Sequence, residues 1–222
     1  MHRGLVLIWL SALLLAACGT PAVQTEATIT GEVIGETATG AEALFQDDFS
    51  DPNSGWSLSE ETQYLTRYED GELRLFADND ASPYGYRVTY VEQSFADVSV
   101  EVDVRRVSGD DAAHVYLVCR RVDGDNYVFG DVNSEGDARV GALVQGEQQI
   151  AADVEGVNGL QEGPNHVRLD CVGNQAALYV NGTLVASAQV DGPAMGGVGL
   201  SAGGAGQGQN DFRFDNFAVY AP

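Results

Sequence analysis

The 222-residue sequence predicts an all-β antiparallel fold, a sandwich or a barrel, and three observations lead there. The first is the stretch from Asn165 to Val190, which reads as three short strands joined by two tight turns, Gly173-Asn174 and Asn181-Gly182. Asn-Gly between apolar runs is a strong hairpin signal, because a type I′ turn needs positive φ at both central residues. The second is a series of short alternating segments at regular spacing, separated by Gly, Asp, Asn and Ser. The third is that no stretch sustains a helical period beyond two turns.

Two-residue loops fix the register of the three-strand unit. Leu169 then faces Leu178, Cys171 faces Ala176, Val167 faces Val180 and Leu178 faces Val185, all on one apolar face. Arg168, Asp170, Ala177, Tyr179 and Leu184 share the other. One apolar and one mixed face suits a sheet that covers a core on one side.

The other elements follow in chain order. Phe45-Gln-Asp-Asp-Phe49 opens the domain, and Ser50-Asp-Pro-Asn-Ser-Gly55 is dense in turn formers before Trp56. Thr62–Tyr68 and Glu72–Phe76 flank Glu69-Asp-Gly71 as a second hairpin, and residues 77–85 read as a loop before a strand over Tyr86–Glu92. Ala96–Val107 is the clearest single strand, with Val98, Val100, Val102 and Val104 alternating against Ser99, Glu101, Asp103 and Arg105. His114–Val122, Asn126–Val132, Ala138–Val144 and Gln149–Val154 follow, and Gly196–Ala202 and Asp211–Tyr220 close the chain around a Gly-rich loop.

The N-terminal seventeen residues stand apart from this pattern. A basic start (His2, Arg3), an apolar run over Leu5–Leu15 and small residues before Cys18 make an export signal, too short to span a membrane. Leu15-Ala-Ala-Cys18 followed by Gly19 resembles a bacterial lipoprotein signal. That resemblance implies that Cys18 is lipidated and becomes the first mature residue, placing the protein on the extracytoplasmic side of a membrane in the cell envelope. Residues 18–43 carry Thr, Ala, Gly and Glu with only a weak alternation at Thr28–Ile34, and are expected to act as a flexible tether of about 25–30 Å reach. The folded domain is expected over 44–222.

Charge excludes some partners. The chain holds 33 Asp and Glu against 11 basic residues, all Arg; without the signal it stands at 10 against 33, a net −23. Such a surface repels nucleic acid and anionic lipid, so the membrane is expected to be reached through the lipid alone and the domain to be monomeric. The partner expected, a glycan or another surface ligand, rests on the resemblance and the strand faces described below. With Cys18 lipidated, Cys119 and Cys171 remain, each in a predicted strand of an exported domain. There a disulfide persists, and the alternative is two buried free thiols.

Several motifs together resemble concanavalin A-like jelly rolls: Phe-x-Asp-Asp-Phe49 with Trp56, Leu-Tyr-Val-Asn-Gly182, Val-Gly-Leu-Ser-Ala-Gly203 and Phe-Asp-Asn-Phe217. The resemblance is closest to bacterial domains grouped with laminin-G-like modules and with 3-keto-disaccharide hydrolase-like domains. It implies a two-sheet antiparallel jelly roll, and a superfamily that mixes lectins, hydrolases and adhesion modules. Family 16 glycoside hydrolases of this fold carry Glu-x-Asp-x-(x)-Glu, which supplies two carboxylates about 5–5.5 Å apart. Here Glu101-Val-Asp103-Val runs into Arg105-Arg106 in place of the last Glu, so the motif is incomplete and no catalytic residue is assigned. The same hydrolases hold a structural calcium between their chain ends, which puts Asp48 and Asp215 forward as calcium ligands; no other cofactor is implied.

The binding residues come from parity. If Cys119 points inward with Val115 and Leu117, then Tyr116 and Arg120 point outward. Tyr127, Phe129 and Asp131 alternate likewise on the next strand, with Arg139 after them. Tyr116, Arg120, Tyr127, Asp131 and Arg139 combine aromatic platforms with charged hydrogen-bonding groups, as a sugar site does. Parity equally allows Tyr127 and Phe129 to be core. The function expected is a non-catalytic glycan-binding module; the alternatives are a glycoside-active enzyme and a structural surface module.

Overall fold

The computed structural model describes residues 42–81, 88–203 and 207–222. The export signal, Cys18 and the tether up to residue 41 lie outside them. Among the described residues there are fifteen strands and no helix. They are β1 (Phe45–Asp47), β2 (Ser59–Glu61), β3 (Tyr64–Glu69), β4 (Glu72–Asp78), β5 (Thr89–Phe95), β6 (Val98–Ser108), β7 (His114–Arg121) and β8 (Tyr127–Val132). After these come β9 (Ala138–Val144), β10 (Glu147–Val154), β11 (Asn165–Val172), β12 (Gln175–Val180), β13 (Thr183–Gln189), β14 (Gly196–Gly203) and β15 (Gln209–Tyr220).

They form the two antiparallel sheets of a jelly-roll sandwich. One has nine strands in the order β13-β12-β11-β6-β15-β4-β3-β2, with β1 also on β15; the other has six, β10-β9-β8-β7-β14-β5. The valines of β6 at 98, 100, 102 and 104 are buried between the sheets, opposed by Val115, Leu117, Val128 and Leu200 of the six-stranded sheet. A Cβ on Gly130 would stand 2.9 Å from the Leu169 methyl across the gap, so a bare backbone is what lets the layers close there. Cys119 on β7 is disulfide-bonded to Cys171 on β11, which joins one sheet to the other through the core.

The predicted turns hold, with one difference in type. Asn181-Gly182 and Asp70-Gly71 both have positive φ at the two central positions, as a type I′ turn requires. In Gly173-Asn174 only Gly173 does, the type II′ pattern with glycine first. The register of β11 on β12 is as expected. That of β12 on β13 is not: Leu178 faces Ala186 and Tyr179 faces Leu184, because Val185 is an extra residue in a β-bulge. The expected strand over Tyr86–Glu92 begins instead at Thr89 and runs on to Phe95, and residues 82–87 lie outside the described ones. β1 and β2 had no clear period, since three residues are too few to show one.

The two ends of the domain pair. β1 lies antiparallel on the last residues of β15, with Asp47 opposite Phe217. Asp47 is the buried acid of this seam: Oδ1 accepts from Phe49 N at 2.8 Å, and Oδ2 from Trp56 Nε1 at 2.8 Å and from the Ser54 hydroxyl. Asp48 instead turns to Ser50, accepting from its amide and its hydroxyl, and Asp215 accepts from Asn216 N.

Candidate functional site

The face of the six-stranded sheet turned away from the core carries the candidate site. Strand pairing puts Ser201 of β14 opposite Tyr116 of β7, Tyr116 opposite Asp131 of β8, and Asp131 opposite Arg139 of β9. Facing residues on antiparallel strands project from the same side, so these four make one row across four strands. His114, two residues before Tyr116 on β7, joins the same side.

Asp131 is the centre of the row and is fully buried, at 0 % exposure. Its Oδ1 lies 2.6 Å from His114 Nδ1 and accepts from Arg139 Nε at 3.0 Å. A proton on Nδ1 makes the first contact attractive and leaves the lone pair on Nε2, which faces Asn133 Nδ2 at 3.4 Å. Arg139 also donates to the Tyr116 hydroxyl at 3.3 Å. Burial opposes its charge, but Asp131 and Tyr116 outweigh that and raise its pKa, so the guanidinium stays charged. Asp131 Oδ2 has no hydrogen-bond partner, and neither has the equally buried Ser201 hydroxyl. A buried carboxylate oxygen left unmatched costs on the order of 1–3 kcal/mol.

The expected site is therefore partly assembled and partly redrawn. Tyr116, Asp131 and Arg139 come together. Tyr127 lies on the same side but further along β8, in an apolar cluster with Tyr116, Val118 and Phe129, against which Val88 and Leu143 pack. Tyr116 is 5 % and Tyr127 3 % exposed, so their rings are covered rather than offered as stacking platforms.

Arg120 leaves the site altogether. It has positive φ at an irregularity in the β7–β14 pairing, which breaks the parity count, and its guanidinium donates to the carbonyls of Ala96, Cys171 and Gly173 and to Asp97. It ties β7 to the β5–β6 connection and to the β11–β12 turn. Sequence reading missed His114 and Ser201. Parity with Tyr116 would have flagged His114; Ser201 needed the β14–β7 pairing, which joins residues far apart in the chain.

A second polar cluster lies on the outer side of the nine-stranded sheet. His166 on β11 is held between two acids of β6, with Nε2 3.3 Å from Glu101 and Nδ1 2.9 Å from Asp103, while Asn216 donates to Asp103. Glu101 and, after it, Asp103 raise the His166 pKa against the opposing effect of burial. Glu101 is only 6 % exposed. Both carboxylates of the incomplete hydrolase motif are thus spent on one imidazole. Arg105 pairs with Glu72 and Arg106 with Asp111. Among the described residues no three His, Cys, Asp or Glu are gathered as a metal site.

Solved structures of similar fold share little sequence. A carbohydrate-binding module from Bacillus subtilis superposes with TM-score 0.59 at 17% identity, covering 75% of this chain and 96% of that one. A galectin-like protein from the same species gives 0.60 at 13% (80% and 95%), and a β-glucanase from Bacillus licheniformis 0.58 at 16% (80% and 97%). At these identities the likeness is one of fold. No curated protein sequence matches the chain. The sequence matches the family of 3-keto-alpha-glucoside-1,2-lyase-like domains over residues 40–219.

Proposed function

Because this chain belongs to the 3-keto-alpha-glucoside-1,2-lyase-like domain family, we propose that the outer side of its six-stranded sheet binds a sugar at the row Ser201–Tyr116–Asp131–Arg139. One observation carries the reading: Asp131 is fully buried, held through Oδ1 by His114 and Arg139, with Oδ2 unmatched. Of the row the Arg139 side chain is the part a sugar can reach: Asp131 holds its guanidinium in place, and the remaining N–H groups donate to a sugar oxygen. The domain is presented on the extracytoplasmic side of a membrane through a lipid at Cys18, and needs no cofactor to hold its ligand.

Isothermal titration with methyl α-glucoside and its 3-keto derivative tests the site. Binding by the wild type and its loss in Asp131→Asn, in a variant shown by circular dichroism to remain folded, is expected; equal binding by the variant would remove the site. Cys18→Ala is expected to move the protein from the membrane to the soluble fraction of a bacterial host.

The pairing of His114 with Asp131 favours a second reading, in which the bound sugar is also cleaved. A carboxylate-oriented imidazole is the arrangement of a general base. A ketone at C3 acidifies the C2 proton; His114 takes that proton as the C1–O bond breaks and the C1=C2 double bond forms, and the imidazolium returns it to the departing oxygen, which leaves as the alcohol. Unsaturated product from the 3-keto glucoside, abolished in His114→Gln, would establish this reading over simple binding.

A further inference from the structure

We propose that the outer side of the nine-stranded sheet holds a second, separate binding site, a cleft for a chain of neutral sugars. Two open clefts of about 450 and 210 Å³ lie there, and Asn216 lines both. β15 runs along them from Arg213 to Tyr220, a distance of roughly 20 Å, which suits several sugar units in a row rather than one. A bulge makes the junction. Asp215 pairs with Asp103 but Ala218 with Glu101, so β15 carries one residue more than β6 over this interval, and Asn216 takes positive φ there. The exposed Asn216 side chain donates to Asp103 at 2.9 Å. Ala218, with its short side chain, lies between Gln46 and Glu101 in the row across the strands and lines the larger cleft.

The groups that face these clefts suit sugar hydroxyls. Tyr220 is half-buried in the larger one, so its ring keeps surface on which a pyranose can stack. Gln46, in the same cleft, carries both a donor and an acceptor. In the smaller one, Arg105 is clamped by Glu72, through Nε at 3.0 Å and a terminal nitrogen at 2.6 Å. Its side chain is 40 % exposed, and its remaining N–H groups can donate to a ligand oxygen. Asp215 accepts from the amide of Asn216 and, as a carboxylate, has room for further donors. Charge decides against an acidic polymer. Asp48, Glu72, Asp103 and Asp215 line the two clefts against Arg105 and Arg213, on a chain of net −22. A neutral glycan meets donors and acceptors of both kinds without that repulsion.

Isothermal titration of the full chain with cellohexaose, maltohexaose, their disaccharides and hexagalacturonate tests the cleft. Expected is binding of at least one neutral hexaose, about tenfold or more tighter than its disaccharide, and no binding of the acidic hexamer. Tyr220→Ala and Arg105→Gln, at opposite ends, should each weaken that hexaose about tenfold. Both should leave methyl α-glucoside, the probe of the six-stranded sheet, bound as before. Circular dichroism checks that each variant is folded, and one folded variant suffices. Arg139→Gln should do the reverse, losing the glucoside and keeping the hexaose. Hexaose binding that survives both cleft variants but is lost in Arg139→Gln would overturn the cleft and leave the proposed site standing. Equal affinity for two units and six, preference for the acidic hexamer, or binding of neither hexaose would overturn it as well.

Discussion

Breaking the Cys119–Cys171 bond is expected to cost about 4 kcal/mol. The two cysteines are 52 residues apart, and constraining a loop of that length removes about 14 cal/mol/K from the unfolded chain, or roughly 4 kcal/mol at 25 °C. For a domain of this size each kcal/mol shifts the melting temperature by about 2–4 °C, so a fall of roughly 8–16 °C follows. Both sulfurs are buried in the core between the sheets, so replacing them with alanine would add a cavity cost to the entropic one. Two measurements separate these costs. The wild type melted with and without reductant, after reduction is verified by thiol counting in denaturant, reports the cross-link alone. The Cys119→Ala/Cys171→Ala variant reports the cross-link plus the lost sulfurs. Only a small difference between the reduced protein and the variant is expected, since each change removes one atom. A shift below about 3 °C on full reduction would refute the loop-entropy reasoning and mean that the core alone holds the sheets in register.

Three further outcomes follow from single contacts. Asp47→Ala should destabilise by about 3 kcal/mol, because it strands the Trp56 indole N–H and the Phe49 amide in a buried seam; a urea midpoint unchanged within error would contradict that role. His166 has its pKa raised by Glu101 and Asp103, so its stabilising contribution is complete below its unfolded pKa, near 6.5, and is lost as pH rises through the folded value. His166→Asn should therefore cost more at pH 5.5 than at pH 9, and the opposite ordering in urea melts would reverse the assignment. Dialysis against a chelator is expected to leave the melting temperature unchanged, since Asp48 and Asp215 each accept from adjacent residues; a fall restored by calcium would make the seam a metal site.

Two kinds of information in the sequence determined most of the fold. Period-two alternation fixed which face of each long strand meets the core, as in β6, where the valines at 98, 100, 102 and 104 point inward and Ser99, Glu101, Asp103 and Arg105 project from the other side. Glycine-bearing turns fixed the hairpins and, through loop length, the register of β11 on β12. Both are local, involving residues within a few positions of each other, so they are legible in one dimension.

What the tertiary structure decided is what depends on residues distant in the chain. It brought β14 beside β7 and so put Ser201 next to Tyr116, a pairing that no local pattern encodes. It placed bulges at Arg120 and Val185, where one extra residue reverses the parity that sequence reading carries forward. It also buried Tyr116 and Tyr127 on the face opposite the core, because a sheet has two sides and alternation alone cannot say what covers the second. The row from Ser201 to Arg139 has its chemistry in four residue types that the sequence displays openly. It has its meaning as a site only once four strands are laid side by side and one carboxylate oxygen is left without a partner.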